Sequence, residues 1–190
     1  RDIYVSIGHD EENGGINGNA LISKSLKIDG VYFDAVIDEG SVITTDVLSQ
    51  LDAPLAIIGT AEKGYLSLQL TSRYKSGHSS FPGKETTIGK LSQAIANLQK
   101  KQMPTKLVDP VKDFLIHIAP ELSFVDRFTL SNYTLLSSSI LANFEEDQHT
   151  DAMIRTTIAP TIISGGSKSN VLPLEARAII NFRLRQGDSV

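Results

Sequence analysis

The clearest alternation of apolar and polar residues lies near the end of the chain, over residues 174–184. Every second residue there is apolar: Ala176, Ala178, Ile180, Phe182 and Leu184. Residues 66–71 alternate in the same way, and residues 153–164 also have a strand-like pattern. Because successive side chains of a strand point to opposite faces, these segments predict a sheet with one buried face and one wet face.

Apolar residues at helical spacing lie between these strands. They follow Thr86 and Thr87, at Ile88, Leu91, Ile95 and Leu98. Residues 104–150 form a further helical stretch, which Pro104, Pro110 and Pro120 interrupt. We therefore predict that residues 65–190 form an α+β domain, an antiparallel sheet backed by helices.

The first 64 residues have a different pattern. Short apolar segments at residues 2–8 and 32–37 are predicted strands, and residues 16–28 have weak helical periodicity. This order predicts an α/β unit with parallel strands, whose carboxyl-end loops are a common place for a functional site. We expect residues 1–64 to be part of one domain and residues 65–190 to be a second domain, truncated at its C-terminal end. Since both ends adjoin predicted strands, we expect an internal fragment of a longer protein.

Composition narrows the classes of function. The 190 residues are 41% apolar and 21% charged, which is typical of a globular protein. A net charge of -4 gives no electrostatic support for nucleic-acid binding, and no apolar run is long enough to predict a membrane span. Because cysteine is absent, a metal ion would need Asp, Glu or His ligands, which suits zinc with hard partners.

An acidic loop follows the first predicted strand. It contains Asp10, Glu11 and Glu12 in succession, and Asp38 and Glu39 follow the second predicted strand. If the two strands are neighbours, Glu12 and Glu39 converge on one volume, where a cation would offset their repulsion. Two solvated acidic loops are an equally good interpretation from spacing alone.

Six short motifs occur in one order along the chain. They are Gly-His-Asp-Glu-Glu-Asn-Gly-Gly, Asp-Glu-Gly, Ala-Glu-Lys-Gly, Gly-His-Ser-Ser-Phe-Pro, Gly-Gly-Ser-Lys-Ser-Asn-Val-Leu-Pro and Asn-Phe-Arg-Leu. In this order they resemble the zinc metallopeptidase family of aminoacylase, carboxypeptidase G and succinyl-diaminopimelate desuccinylase, in particular its carboxypeptidase S and N-acyl-amino-acid hydrolase branch. Each motif alone is weak, but together they cover essentially the whole chain.

The resemblance implies a catalytic α/β domain with two zinc ions, followed by a lid domain through which a homodimer forms. It implies that Glu11 is the general base and that Glu12 and Glu39 are zinc ligands. Zinc lowers the pKa of a bound water to about 7, and a neighbouring carboxylate can take the proton of that water. The family's other ligands, two His and a bridging Asp, have no counterpart here. This chain alone is therefore expected to be inactive.

Four residues of the lid acquire roles through the same resemblance. His78 would stabilise the oxyanion in the active site of a partner subunit, whereas from the residues alone it is a surface turn residue. Asn170 and Arg183 would hold the free carboxylate of the substrate, and Gly166 would let the backbone approach it. From the residues alone, Asn170 is a turn residue. The predicted strand fixes the direction of the Arg183 side chain, which could bind a carboxylate or form an ordinary surface ion pair.

The expected function is zinc-dependent hydrolysis of an amide or peptide bond next to a free carboxylate, in an N-acyl amino acid or a small peptide. The alternative is a lid and dimerisation module without catalysis of its own.

Overall fold

The computed structural model describes residues 2–38, 42–45, 51 and 53–190. The chain divides into two compact units, residues 1–40 and residues 41–190. The predicted domain boundary after residue 64 stays a prediction.

The first unit contains a short 3-10 helix at Glu11–Asn13 and one α-helix, α1, at Asn19–Ile28. The helix predicted over residues 16–28 is therefore confirmed. The strands predicted over residues 2–8 and 32–37 are wrong, because neither segment has a partner strand within residues 2–38. A strand needs a neighbour to accept its backbone hydrogen bonds. The apolar side chains of these segments are exposed, for example Ile3 at 91% and Ile37 at 96%.

The second unit contains the remaining elements. The strands are β1 at Val42–Thr44, β2 at Leu55–Ile57, β3 at Gly64–Arg73, β4 at Gly77–His78, β5 at Thr157–Gly165, β6 at Val171–Leu172 and β7 at Glu175–Leu184. The helices are α2 at Thr87–Lys100, α3 at Asp109–Ile118, α4 at Phe124–Ser131, α5 at Tyr133–Phe144 and α6 at Gln148–Ile154, with a 3-10 turn at Ala119–Glu121.

The principal sheet has the order β3-β7-β5, with both pairs antiparallel. Its buried face packs on α2, through Leu91 of the helix and Ala176, Ala178 and Ile180 of β7. Helix α2 starts after Thr86, whose Oγ1 accepts a hydrogen bond of 3.0 Å from the Gly89 N–H. The predicted alternation of β7, its helix-facing side and the antiparallel sheet backed by helices are confirmed.

Beyond the principal sheet, the β3–β7 ladder continues into a narrower ribbon. The Tyr74 N–H donates to the Leu174 carbonyl at 3.0 Å, and β4 then pairs with β6, Gly77 opposite Leu172 and His78 opposite Val171. The ribbon therefore extends the sheet at the end where β3 finishes and β7 begins.

Helices α3–α6 lie between α2 and β5 in sequence and have a second core. Its buried members are Leu107, Val111, Leu115, Ile118, Ile140, Phe144 and Ile154. The two ends of this helical segment meet, because the Lys106 N–H donates to the Ile154 carbonyl at 2.8 Å. None of the helices that the structure describes has the length and hydrophobicity needed to cross a membrane.

Candidate functional site

The acidic loop of the first unit is a tight turn organised by Asp10. Oδ2 of Asp10 accepts a 2.7 Å hydrogen bond from the Asn17 N–H, and its carbonyl accepts from the Asn13 and Gly15 N–H groups. Gly14 and Gly15 have φ of 91° and 64°, which favour glycine. Glu11 and Glu12 follow Asp10 in the 3-10 turn and are both exposed. Asp10 is therefore a structural residue, and the two glutamates are the accessible carboxylates of the loop.

A zinc site does not form within the described part of the chain. Among those residues no group of three or more His, Asp or Glu side chains could hold a metal ion. Glu39, the second predicted ligand, lies outside the described residues. The residues in view therefore do not supply a zinc donor set, and the assignments of Glu11, Glu12 and Glu39 stay predictions.

His78 and Asn170 are brought together by the β4–β6 ribbon. The Ser79 N–H, next to His78, donates a 3.0 Å hydrogen bond to the Asn170 carbonyl. These two predicted site residues are 92 positions apart in the chain, and only the pairing of β4 with β6 makes them neighbours.

The ring of His78 has a defined orientation. Its Nδ1 accepts a 3.2 Å hydrogen bond from the Ser80 N–H. Because Nδ1 accepts, a neutral imidazole in this arrangement has its proton on Nε2. His78 is exposed, so its Nε2–H is available as a donor to a ligand.

The two glycines at the end of β5, Gly165 and Gly166, are required for different reasons. A Cβ on Gly165 would lie 2.7 Å from the Ala176 Cβ, so a side chain there would clash with β7. Gly166 has φ of 80°, a left-handed conformation that glycine adopts without strain. The predicted substrate role of Gly166 stays a prediction beside this backbone requirement.

Arg183 lies on the central strand β7, on the face opposite α2. Tyr65 of β3 and Thr157 of β5 are its neighbours across the sheet. The Arg183 Cζ is 5.0 Å from the centroid of the Tyr65 ring, a cation–π arrangement that helps fix the guanidinium. None of the ion pairs formed by the described residues includes Arg183.

Arg183 is distant from the ribbon that holds Asn170. Arg183 lies eight positions after Glu175 in β7, which corresponds to about 27 Å along the strand, and the ribbon begins beyond Glu175. The two predicted carboxylate-binding residues therefore lie at opposite ends of the sheet, and one small substrate does not reach both within a single chain.

Lys63 has no role that the sequence alone predicts, although it belongs to the Ala-Glu-Lys-Gly motif. Its Nζ donates hydrogen bonds of 2.8 Å and 2.9 Å to the Ala152 and Arg155 carbonyls, at the C-terminal end of α6. A cation is favourable there because the last carbonyls of a helix have no intrahelical donor. Burial lowers the pKa of Lys63; the Asp151 carboxylate opposes this shift, and the Arg183 charge adds to it.

Arg185 and Asp188 close the same end of the sheet. Arg185 Nη2 lies 2.7 Å from Asp188 Oδ1, and the buried Thr156 hydroxyl donates to Asp188 Oδ2 at 2.5 Å. The hydrogen bond from Thr156 and then the Arg185 guanidinium lower the pKa of the Asp188 carboxyl. The Arg185 guanidinium is therefore paired with Asp188, whereas the side chain of Arg183, two residues earlier, is exposed.

At the other end, the ribbon is tied to α2. The buried Thr87 hydroxyl donates a 2.6 Å hydrogen bond to the Pro173 carbonyl, directly after β6. This hydrogen bond anchors β6, which directly follows Asn170, to the start of α2. The only sequence signal for this contact was the position of Thr87 at a helix start, because its partner is 86 residues away.

Comparison with known proteins gives a consistent result. The chain is 39% identical over 191 residues to the human N-fatty-acyl-amino acid synthase/hydrolase PM20D1 and 38% identical over 193 residues to probable carboxypeptidase S-like 2 of Dictyostelium discoideum. It is 30% identical over 204 residues to carboxypeptidase S of Saccharomyces cerevisiae (strain ATCC 204508 / S288c). In each case the whole of this chain is covered, but only 38%, 37% and 34% of those proteins, respectively.

The family model that describes the peptidase dimerisation domain, M20_dimer, matches residues 60–190, which contain the sheet, the ribbon and the helical segment. The resemblance seen in the six motifs is confirmed. The chain belongs to the M20 peptidase family, whose dimerisation domain it contains.

Proposed function

We propose that the protein containing this chain is a hydrolase that cleaves the amide bond of an N-acyl amino acid or small peptide next to a free carboxylate. Arg183 is the observation that carries this proposal. It is exposed, held on a central strand and against an aromatic ring, and it forms none of the ion pairs found among the described residues. A guanidinium in that position binds a carboxylate through two parallel hydrogen bonds.

His78 supplies the complementary group. With Nδ1 accepting from the Ser80 N–H, its Nε2–H can donate to the negative charge that develops on the carbonyl oxygen of the scissile bond. The other assignments, Glu11 as general base, Glu12 and Glu39 as zinc ligands and Gly166 beside the substrate, rest on the resemblance. The described residues do not assemble a metal site.

A homodimer would bring His78 and Arg183 to one substrate. Strand β5 is an edge of the described sheet, with Thr157 beside Arg183 at one end and Gly165 near the ribbon at the other. If two β5 strands pair antiparallel about a two-fold axis, the Gly165 end of each chain lies beside the Thr157 end of its partner. The ribbon of one chain then approaches Arg183 of the other, which supports a site completed by the partner subunit.

The alternative is a dimerisation module without catalysis. It is favoured for this chain by the family match and by the lack of a metal-binding group among the described residues. Zinc content of the whole protein separates the two: stoichiometric zinc supports the hydrolase, and its absence after zinc loading supports the module.

The principal test replaces Arg183 in the whole protein. We expect Arg183→Ala to lower kcat/KM for N-acyl amino acids by about 10-fold to several hundred-fold, because a charge-assisted contact contributes about 1.5–3 kcal/mol or more when it is partly desolvated. Arg183→Lys should recover only part of the loss, since an ammonium lacks the paired donors.

The control is a substrate whose carboxylate is converted to an amide. Wild type should discriminate strongly against it, and Arg183→Ala should not. A mutant that keeps the wild-type preference for the free acid would show that Arg183 does not bind the carboxylate.

A further inference from the structure

The residues that share a face of the sheet with Arg183 form two adjacent rows. Tyr65 and Ser67 of β3 lie directly opposite Arg183 and Asn181 of β7. Residues that pair across an antiparallel ladder have their side chains on the same face, so all four lie on the face opposite α2. In the first row, the Arg183 Cζ lies 5.0 Å from the centroid of the Tyr65 ring. Arg183 therefore has a phenol as its immediate neighbour.

A chain of hydrogen bonds connects the two rows. Nδ2 of Asn181 lies 3.4 Å from the Leu66 carbonyl and 3.2 Å from the Ser67 Oγ. Because a carbonyl can only accept, the carboxamide atom that faces it is the nitrogen, which therefore also donates to Ser67. The Ser67 hydroxyl donates in turn to the Tyr65 Oη at 3.2 Å. Both of these side-chain hydrogen bonds thus run toward Tyr65.

The direction of this chain decides what the Tyr65 hydroxyl can do. Since its oxygen accepts from Ser67, its own O–H is left to donate to another acceptor. In the part of the chain that the structure describes, no hydrogen bond uses this O–H, and the Tyr65 side chain is exposed. A free donor beside an exposed guanidinium is suited to an anion that the guanidinium binds.

We propose that Tyr65 donates its O–H to the substrate carboxylate held by Arg183 and so acts as a second carboxylate-binding residue. Ser67 and Asn181 orient the hydroxyl for this contact. The inference rests on the proposed function and deepens it, because a third donor beside the two of the guanidinium favours a free acid over an amide. The nitrogen of an amide is itself a donor and cannot accept from either residue.

The test uses the whole protein, an N-acetyl amino acid and the corresponding amide, and it measures the ratio of their kcat/KM values. Tyr65→Phe keeps the ring against Arg183 and removes only the hydroxyl, so the preference for the free acid should fall about tenfold. Tyr65→Leu also removes the ring and should lower the preference about threefold further. Tyr74→Phe is the matched control and should leave the ratio unchanged, since the Tyr74 ring also contacts a cation, Lys90 Nζ of α2 at 4.3 Å.

Variants of Ser67 test the orientation of the phenol. Ser67→Ala removes the donor to Tyr65 and should lower the preference, but less than Tyr65→Phe does. Ser67→Thr keeps a hydroxyl and should retain the wild-type ratio. A loss of folded protein lowers both rates equally and leaves the ratio unchanged, so it does not imitate these shifts. Equal ratios in wild type and Ser67→Ala would overturn the orienting role of Ser67.

A wild-type ratio in Tyr65→Phe, together with a lowered ratio in Arg183→Ala, would overturn the role of Tyr65 and leave the proposed function standing. If no N-acyl amino acid is hydrolysed, the proposed function fails, and calorimetric binding of N-acetylalanine decides the role of Tyr65 separately. Binding that Arg183→Ala and Tyr65→Phe weaken and Tyr74→Phe does not would support it. Absent binding, or equal binding by wild type and Tyr65→Phe, would overturn it.

Discussion

At the scale of single residues, the informative feature of His78 is the partner of its Nδ1. An imidazole on an exposed two-residue strand could present either nitrogen to a ligand, and the Ser80 N–H decides in favour of Nε2. The role proposed for His78 thus depends on one donor atom at a known position on the ring.

This orientation predicts the order of activities in His78 variants. His78→Ala should lower kcat about 10²–10³-fold, the usual effect of losing one oxyanion donor. His78→Gln should retain more activity than His78→Asn, because the longer carboxamide places its N–H near the position of Nε2. Steady-state kinetics with all three purified variants checks the order, and Asn matching or exceeding Gln would contradict the Nε2 assignment.

The residues that the sequence did not reveal share a property. Lys63 and Thr87 each donate a hydrogen bond to a backbone carbonyl more than 80 positions away. Every residue has a backbone carbonyl, so the sequence contains no pattern that identifies the acceptor. Arg183, in contrast, was predictable as an outward residue because the alternation of β7 assigns its face. Its distance from Asn170 was not, since it depends on where the ribbon joins the sheet.

At the scale of elements, long periodic segments were predictable and short apolar ones were not. In β3, β7 and α2, apolar residues recur at the spacing that places them on one face of the element, and that face is the one packed in the core. The segments at 2–8 and 32–37 are equally apolar, but a strand forms only where a neighbour completes its ladder. The segment predicted as a strand from residue 153 starts later because Met153 and Ile154 complete α6.

Edge strand β5 makes a further prediction. Ile162 and Ile163 are each 62% exposed there, and the pairing proposed above would bury both. Ile163→Lys should raise the dimer Kd at least about 100-fold, because two copies per dimer each lose about 1.5–3 kcal/mol of burial and the new charges repel.

Analytical ultracentrifugation of the whole protein measures this effect. Ile116→Lys, at an exposed isoleucine of α3, is the control and should leave the Kd unchanged. Equal dimerisation of wild type and Ile163→Lys would exclude β5 as the pairing edge.

At the scale of the whole molecule, the site proposed above draws His78 from one chain and Arg183 from the other. A His78→Ala protein mixed with an Arg183→Ala protein should therefore recover activity. Random exchange makes half of the dimers hybrid, and one site of each hybrid has neither defect, so recovery should reach about a quarter of wild-type activity. Subunit exchange is shown with two distinguishable tags; exchange without recovery would mean that each site draws both residues from one chain.

The meeting of Lys106 with Ile154 bears on how such proteins diverge. The chain enters and leaves the segment of helices α3–α6 at adjacent points, Lys106 and Ile154. Insertions whose two ends are adjacent are readily tolerated in a folded domain. His78, Asn170 and Arg183 all lie outside this helical segment. The helical segment can therefore change in length without changing the register of the strands that carry those three residues.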